Sequence, residues 1–117
     1  MIKLLDHLQL AIPKGAEDRV RPFYELLGFS EKLKPDALKG RGGFWMTAGP
    51  VEVHFGVDPI FAPATKAHPA FGVTDIDELA AQLLANGHAV DWDTKLVDVR
   101  RFFTNDPVGN RIELIAG

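Results

Sequence analysis

Cysteine is absent from the 117 residues of the chain. That excludes a disulfide framework, a thiolate-ligated metal and a thiol nucleophile. No apolar run reaches about 18 residues, the length a membrane-spanning helix needs, and no apolar signal core follows Met1–Leu5. The expectation is a soluble cytoplasmic protein. Basic charge is also scarce: 13 Lys and Arg against 16 Asp and Glu leave a net charge of −3. Nucleic acid and an anionic membrane surface are therefore not expected partners, since each demands a basic face. What remains is 46% hydrophobic and 25% charged residues, the balance of one packed globular domain rather than of a disordered chain.

Two helical stripes are present. Val20, Phe23, Tyr24 and Leu27 recur at i, i+3, i+4, i+7 within 16–27, and Ile76, Leu79, Ala80 and Leu83 form a second stripe within 75–86. Gly28 and Gly87 are natural stops, because the residue past a helix often takes positive φ. Thr74 or Asp75 is the expected cap of the second helix. Strand patterns at 5–12, 29–33, 43–48 and 51–57 surround the first stripe, and those at 68–73, 88–92, 101–105 and 111–115 surround the second. Pro59, Pro63 and Pro69 mark a connector between the halves. KPDALKGRGG reads as a flexible basic loop and DPVGN, residues 106–110, as a turn. The order β-α-β-β-β thus occurs twice, over about 1–58 and about 66–117. It predicts an α+β fold: one domain, 1–117, of two tandem βαβββ modules, with a mixed sheet curved into a cup and helices on its outer face.

The halves also repeat in detail. His7 returns as His68 and Glu52 as Glu113, both at an offset of 61, so each His precedes its Glu by 45 residues. Leu10 matches Phe71, Ile12 matches Val73 and Val53 matches Leu114 at the same offset. Strand alternation turns the flanking apolar residues to one face and His7, Glu52, His68 and Glu113 to the other. Two imidazoles and two carboxylates on one polar face suit a first-row divalent metal ion. Open positions on such an ion are what a Lewis-acid site needs.

The segments DHLQLAIP, RPFYELLGF, VEVHFG, AHPAFGVTDID and DPVGNRIELI resemble those of the vicinal oxygen chelate superfamily, and the likeness covers essentially the whole chain. That superfamily includes glyoxalase I, methylmalonyl-CoA epimerase, extradiol dioxygenases, fosfomycin-resistance transferases and bleomycin-resistance proteins. The resemblance implies paired βαβββ modules forming a cup, commonly completed in a homodimer. It places His7, Glu52, His68 and Glu113 at the ligand positions for a divalent metal (Ni, Zn, Fe, Mn or Co), a set like that of the glyoxalases and epimerases. His7, His68 and Glu113 alone would satisfy the dioxygenase and fosfomycin pattern. The implied activity is that of a lyase or isomerase. A metal would polarise an oxygen of a small oxygenated substrate through an enediolate-type intermediate, and Glu113, or Glu52, would move the proton. The alternative is a metal-free protein that sequesters a small molecule such as an antibiotic, as the bleomycin-resistance branch does.

Other residues carry competing readings. His54 shares a face with Glu52 and competes with it as a ligand, or touches substrate. Trp45, Phe44 and Trp92 either line an apolar pocket or belong to the core. Arg100 and Arg101 either grip a substrate carboxylate or are ordinary charged residues. Glu113 pairs, on the structural reading, with Arg111 or Arg101. Pro69 lacks an N–H, so its strand should be an edge or bent there.

Overall fold

The computed structural model describes residues 1–117, which divide into two compact units, Met1–Ala62 and Pro63–Gly117. The first unit contains β1 (Leu8–Ile12), α1 (Glu17–Leu26), β2 (Ser30–Lys32), β3 (Phe44–Ala48) and β4 (Val51–Val57). The second contains β5 (Ala70–Val73), α2 (Ile76–Ala85), β6 (Asp91–Asp93), β7 (Arg101–Asn105) and β8 (Arg111–Ala116). The expected tandem βαβββ order is present. Each module builds its own four-stranded sheet, ordered β1-β4-β3-β2 in one and β5-β8-β7-β6 in the other. The pairs β1–β4 and β5–β8 are parallel and the rest antiparallel. No helix is long and apolar enough to cross a membrane.

Alternation decides which side of each sheet is buried. In the first unit Ile12, Phe44, Met46, Val53 and Phe55 are buried, as are Val20, Phe23 and Tyr24 of α1. Tyr24 meets Phe55 at 4.6 Å between ring centroids, and Phe44 stacks on Phe55 at 4.5 Å. In the second unit Phe102, Ile112 and Leu114 are buried, with Ile76, Ala80 and Leu83 of α2. Residues at alternate positions, Glu52 and His54 in β4 and Arg111 and Glu113 in β8, face the other way.

Both helices end alike. Beyond α1, Phe29 N–H donates to Tyr24 O and Gly28 N–H to Glu25 O; beyond α2, His88 N–H donates to Leu83 O and Gly87 N–H to Leu84 O. Gly28 (φ +99°) and Gly87 (φ +83°) supply the left-handed residue that such endings require. This closure takes His88 into the helix terminus, so β6 starts at Asp91 rather than at 88. The expected cap of α2 is absent: Asp75 is the N-cap residue but lies at φ 47°, and no side-chain cap bond forms. α1 carries Pro22 in its interior, which removes one backbone donor from the helical ladder. The basic loop is partly ordered by a 3-10 turn at Asp36–Leu38.

β1 and β5 both start later than their patterns. β1 starts at Leu8 and β5 at Ala70, so His7 and His68 lie just before their strands. β5 is an edge strand, as Pro69 requires, and Pro69 still accepts a bond from Glu113 N–H at 3.0 Å through its carbonyl. Gly43 is needed where β3 begins: its φ is +77°, and a Cβ there would collide with the Phe55 carbonyl.

The DPVGN turn fixes the β7–β8 hairpin. Asp106 is buried and accepts from Val108 N–H (3.1 Å), Asn110 N–H (2.9 Å) and the Asn110 side-chain amide (3.0 Å). Asp106→Ala leaves those donors without their acceptor. It should cost about 1–3 kcal/mol in urea unfolding, and a loss below about 0.5 kcal/mol contradicts this role. Leu114→Ala, at a fully buried β8 position, should cost about 2–5 kcal/mol in the same measurement.

Candidate functional site

The second unit brings His68 and Glu113 together. Glu113 projects from β8 and is 5% exposed. His68 Nε2 lies 2.9 Å from Glu113 Oε1, and His68 Nδ1 lies 2.9 Å from the Lys66 carbonyl oxygen. A carbonyl oxygen only accepts, so Nδ1 is the donor. In the neutral ring Nε2 then carries a lone pair, and that lone pair faces a carboxylate. Two acceptors at this distance need a positive species between them, a proton or a metal cation. Pinning one ring nitrogen to a backbone carbonyl so that the other can ligate is the usual outer arrangement of a metal-binding histidine. The donor set therefore fits a divalent cation.

Glu113 Oε2 is held by Arg101 Nη1 at 3.3 Å. Arg101 also donates to Asp93, through Nε at 2.8 Å and through Nη2. Of the two arginines expected as partners for Glu113, Arg101 is the one that pairs, and its fork is engaged by Asp93 and Glu113. Arg111 instead lies 4.0 Å over the Phe103 ring. These residues line a concavity of about 530 Å³ that also includes Lys66 and Lys95. Trp92 stands at its margin, packed edge-on against Phe102 of the buried face. Arg100 forms a two-pronged pair with exposed Asp77.

The first unit gathers different partners. Glu52 accepts from Lys32 Nζ at Oε1 (2.8 Å), and its Oε2 lies 2.6 Å from His54 Nε2. The bond from Lys32, and next the bond to His54, hold the Glu52 carboxyl below its ordinary value. An ionised Glu52 makes Nε2 the protonated atom of His54 and leaves Nδ1 as the acceptor. His54 is buried between two rings, stacked on Trp45 at 3.7 Å and on His7 at 4.0 Å. His7 Nδ1 is 2.8 Å from Asp6 Oδ1, leaving Nε2 as the outward atom of its ring. The concavity here, about 550 Å³, is lined by His7, Gln9, Trp45 and His54, with Lys34 and Arg41 among the charged residues. Phe44 belongs to the buried face instead. Within neither unit do three His, Asp or Glu side chains converge as a ready metal cage.

The ladders refine the repeat. Gln9 pairs with His54, 45 residues on, whereas Ala70 pairs with Glu113, 43 residues on. Trp45 stands beside His54 as Phe103 stands beside Glu113. Rung for rung, His54 occupies the place of Glu113, and Glu52 that of Arg111. A slide of two residues keeps every side chain on its face, so the sequence offset pairs Glu52 with Glu113 while the sheets do not. The sequence offers Arg111 only as a partner for Glu113; its stacking on Phe103 depends on a diagonal cross-strand contact that spacing does not reveal.

Neither a protein-family model nor a curated protein gives a match to the sequence. Solved structures do. A Bacillus anthracis protein described as of the glyoxalase family is 46% identical, with a TM-score of 0.94 over 100% of this chain and 97% of that one. A mutant fosfomycin resistance protein FosX from Listeria monocytogenes, complexed with Mn(II) and 1S,2S-dihydroxypropylphosphonic acid, is 17% identical, with a TM-score of 0.84 over 100% and 94% of the two chains. FosX from Mesorhizobium loti is 19% identical, with a TM-score of 0.74 over 100% and 94%.

The electrostatics of the second unit have a measurable consequence. The backbone N–H of Lys95, and next the Arg101 side chain, hold the Asp93 carboxyl below its ordinary 3.8. Its contribution to stability is therefore present above that value and is lost as pH falls through the lower folded-state value. Urea midpoints recorded from about pH 6 to about pH 3 should fall less steeply in Asp93→Asn than in the parent chain. Parallel acid limbs contradict this.

Proposed function

Because the chain belongs to the glyoxalase family of the vicinal oxygen chelate superfamily, we propose that it is a metal-dependent enzyme acting on a small oxygenated substrate. The observation that carries this reading is the His68–Glu113 contact, with Nδ1 of His68 committed to the Lys66 carbonyl. His68 and Glu113 would hold the cation, and His7, whose Nδ1 is tied to Asp6, is the second imidazole that the sequence repeat offers. A cation of the Ni, Zn, Fe, Mn or Co class, when bound, would offer Lewis-acid chemistry to a substrate oxygen. Arg101 steadies the far oxygen of Glu113 and keeps its carboxylate in place.

The reaction class we propose is that of a lyase or isomerase, with a proton moved beside a polarised carbonyl. Glu52 is the fourth residue of the repeated set, and both of its oxygens are engaged by Lys32 and His54. Its part is to fix His54 as the Nε2–H tautomer, so that Nδ1 is the ring atom able to take a proton. A homodimer belongs to the same proposal. β1 and β5 both stand at sheet edges, which invite pairing, and Met1, Ile2, Leu4 and Leu5 are exposed. Light scattering at micromolar concentration should return twice the chain mass; the single-chain mass contradicts the dimer.

The alternative, a metal-free protein that sequesters a small molecule, draws on the Trp45–His54–His7 stack beside the first concavity. Metal uptake separates the two. Protein purified without chelator should bind about one Mn, Ni or Zn ion per chain. His68→Asn and Glu113→Gln should each weaken uptake by at least about ten-fold, with circular dichroism unchanged, whereas Glu52→Gln should retain it. A folded chain that ignores Ni, Zn, Mn, Fe and Co contradicts the enzyme reading and favours the binding protein.

A further inference from the structure

Arginines in this chain divide sharply by partner. Three are half-buried: Arg21, Arg101 and Arg111. Arg21 is held by Asp18 and Glu31, and Arg101 by Asp93 and Glu113. Arg111 touches no carboxylate. Its guanidinium lies 4.0 Å over the centre of the Phe103 ring. Phe103 also packs edge-to-face with the His68 imidazole, at 5.3 Å and 80°. One ring thus braces both the free guanidinium and the imidazole.

The neighbouring carboxylates explain why Arg111 stays free. Glu113 has Oε1 against His68 and Oε2 against Arg101, and Asp93 is taken by Arg101. A guanidinium stacked on an aromatic face keeps its N–H groups in its own plane, pointing outward, where they form a fork that matches an oxyanion. Arg111, Glu113 and His68 line the same concavity, with Lys66 and Lys95 adding positive charge. Asp91 opposes them there and limits affinity.

We propose that Arg111 is the oxyanion receptor of this concavity, and that the molecule taken up there carries a carboxylate or a similar small oxyanion. As a statement about substrate, this rests on the reading of His68 and Glu113 as the chemical end of the site. The anion contact itself needs no metal, so the two can fail separately.

The test is a ¹⁵N-resolved NMR titration of metal-free protein with inorganic phosphate, at constant ionic strength set with NaCl. Saturable shifts are expected at the Phe103, Arg111 and Glu113 amides, with a Kd on the order of 1–10 mM. Arg111→Gln should weaken binding at least about ten-fold, and glycerol should give no saturable shift. Arg111→Lys, which keeps the charge without the fork, should bind several-fold more weakly than the parent and serves if the Gln variant does not fold. Equal phosphate binding in parent and either variant overturns the proposal, as does the absence of saturation in the parent at about 100 mM. Metal uptake measured on Arg111→Lys should match the parent, which separates failure of the anion receptor from failure of the metal reading.

Discussion

A neutral imidazole has one proton to give, and in His68 that proton belongs to the Lys66 carbonyl. The metal reading of the second unit follows from what this leaves behind in the neutral ring: a lone pair on Nε2 set 2.9 Å from a buried carboxylate. The fold keeps that pair together. Glu113 N–H is fastened to the Pro69 carbonyl across the parallel β5–β8 ladder, one residue from His68. The buried Asp106 turn sets the β7–β8 hairpin, which brings Arg101 to the far oxygen of Glu113. The apolar side of the same strands, Phe102, Ile112 and Leu114, provides the packing that holds this polar side rigid.

The two modules show how one architecture supports different chemistry. Each presents an aromatic beside its central polar residue, Trp45 by His54 and Phe103 by Glu113. Each has a histidine just before its edge strand with Nδ1 tied to a local oxygen. The first module builds a carboxylate–imidazole–indole stack supported by a lysine, whereas the second builds a carboxylate flanked by an imidazole and an arginine. The slide of two residues between the ladders accounts for much of the contrast, because it puts Glu52 where the second module has Arg111.

Most of the architecture was legible in the sequence because it depends on periods: 3.6 for the helices, 2 for the strands, and the offset of 61 that repeats the pattern. The polar faces of Glu52 and Glu113 follow from parity alone. Strand ends were less legible. His7, His68 and His88 alternate as strand residues do, yet the first two lie outside the ladders and the third closes a helix. Asp75 has the right chemistry for a cap but the wrong backbone angle to use it. Partner choice was the least legible. Arg101 and Arg111 share a face with Glu113, and only the cross-strand geometry decides that Arg101 takes the carboxylate while Arg111 takes the ring.

The most direct measurement is the ¹⁵N spectrum of the histidine rings with and without added Zn(II), a diamagnetic ion. The account predicts that His68 and His7 keep their Nδ1 protons while their Nε2 resonances move on zinc binding, and that His54 keeps its Nε2 proton. Nε2 resonances of His68 and His7 that do not respond to zinc, or a His68 proton found on Nε2 of the neutral ring, contradict it.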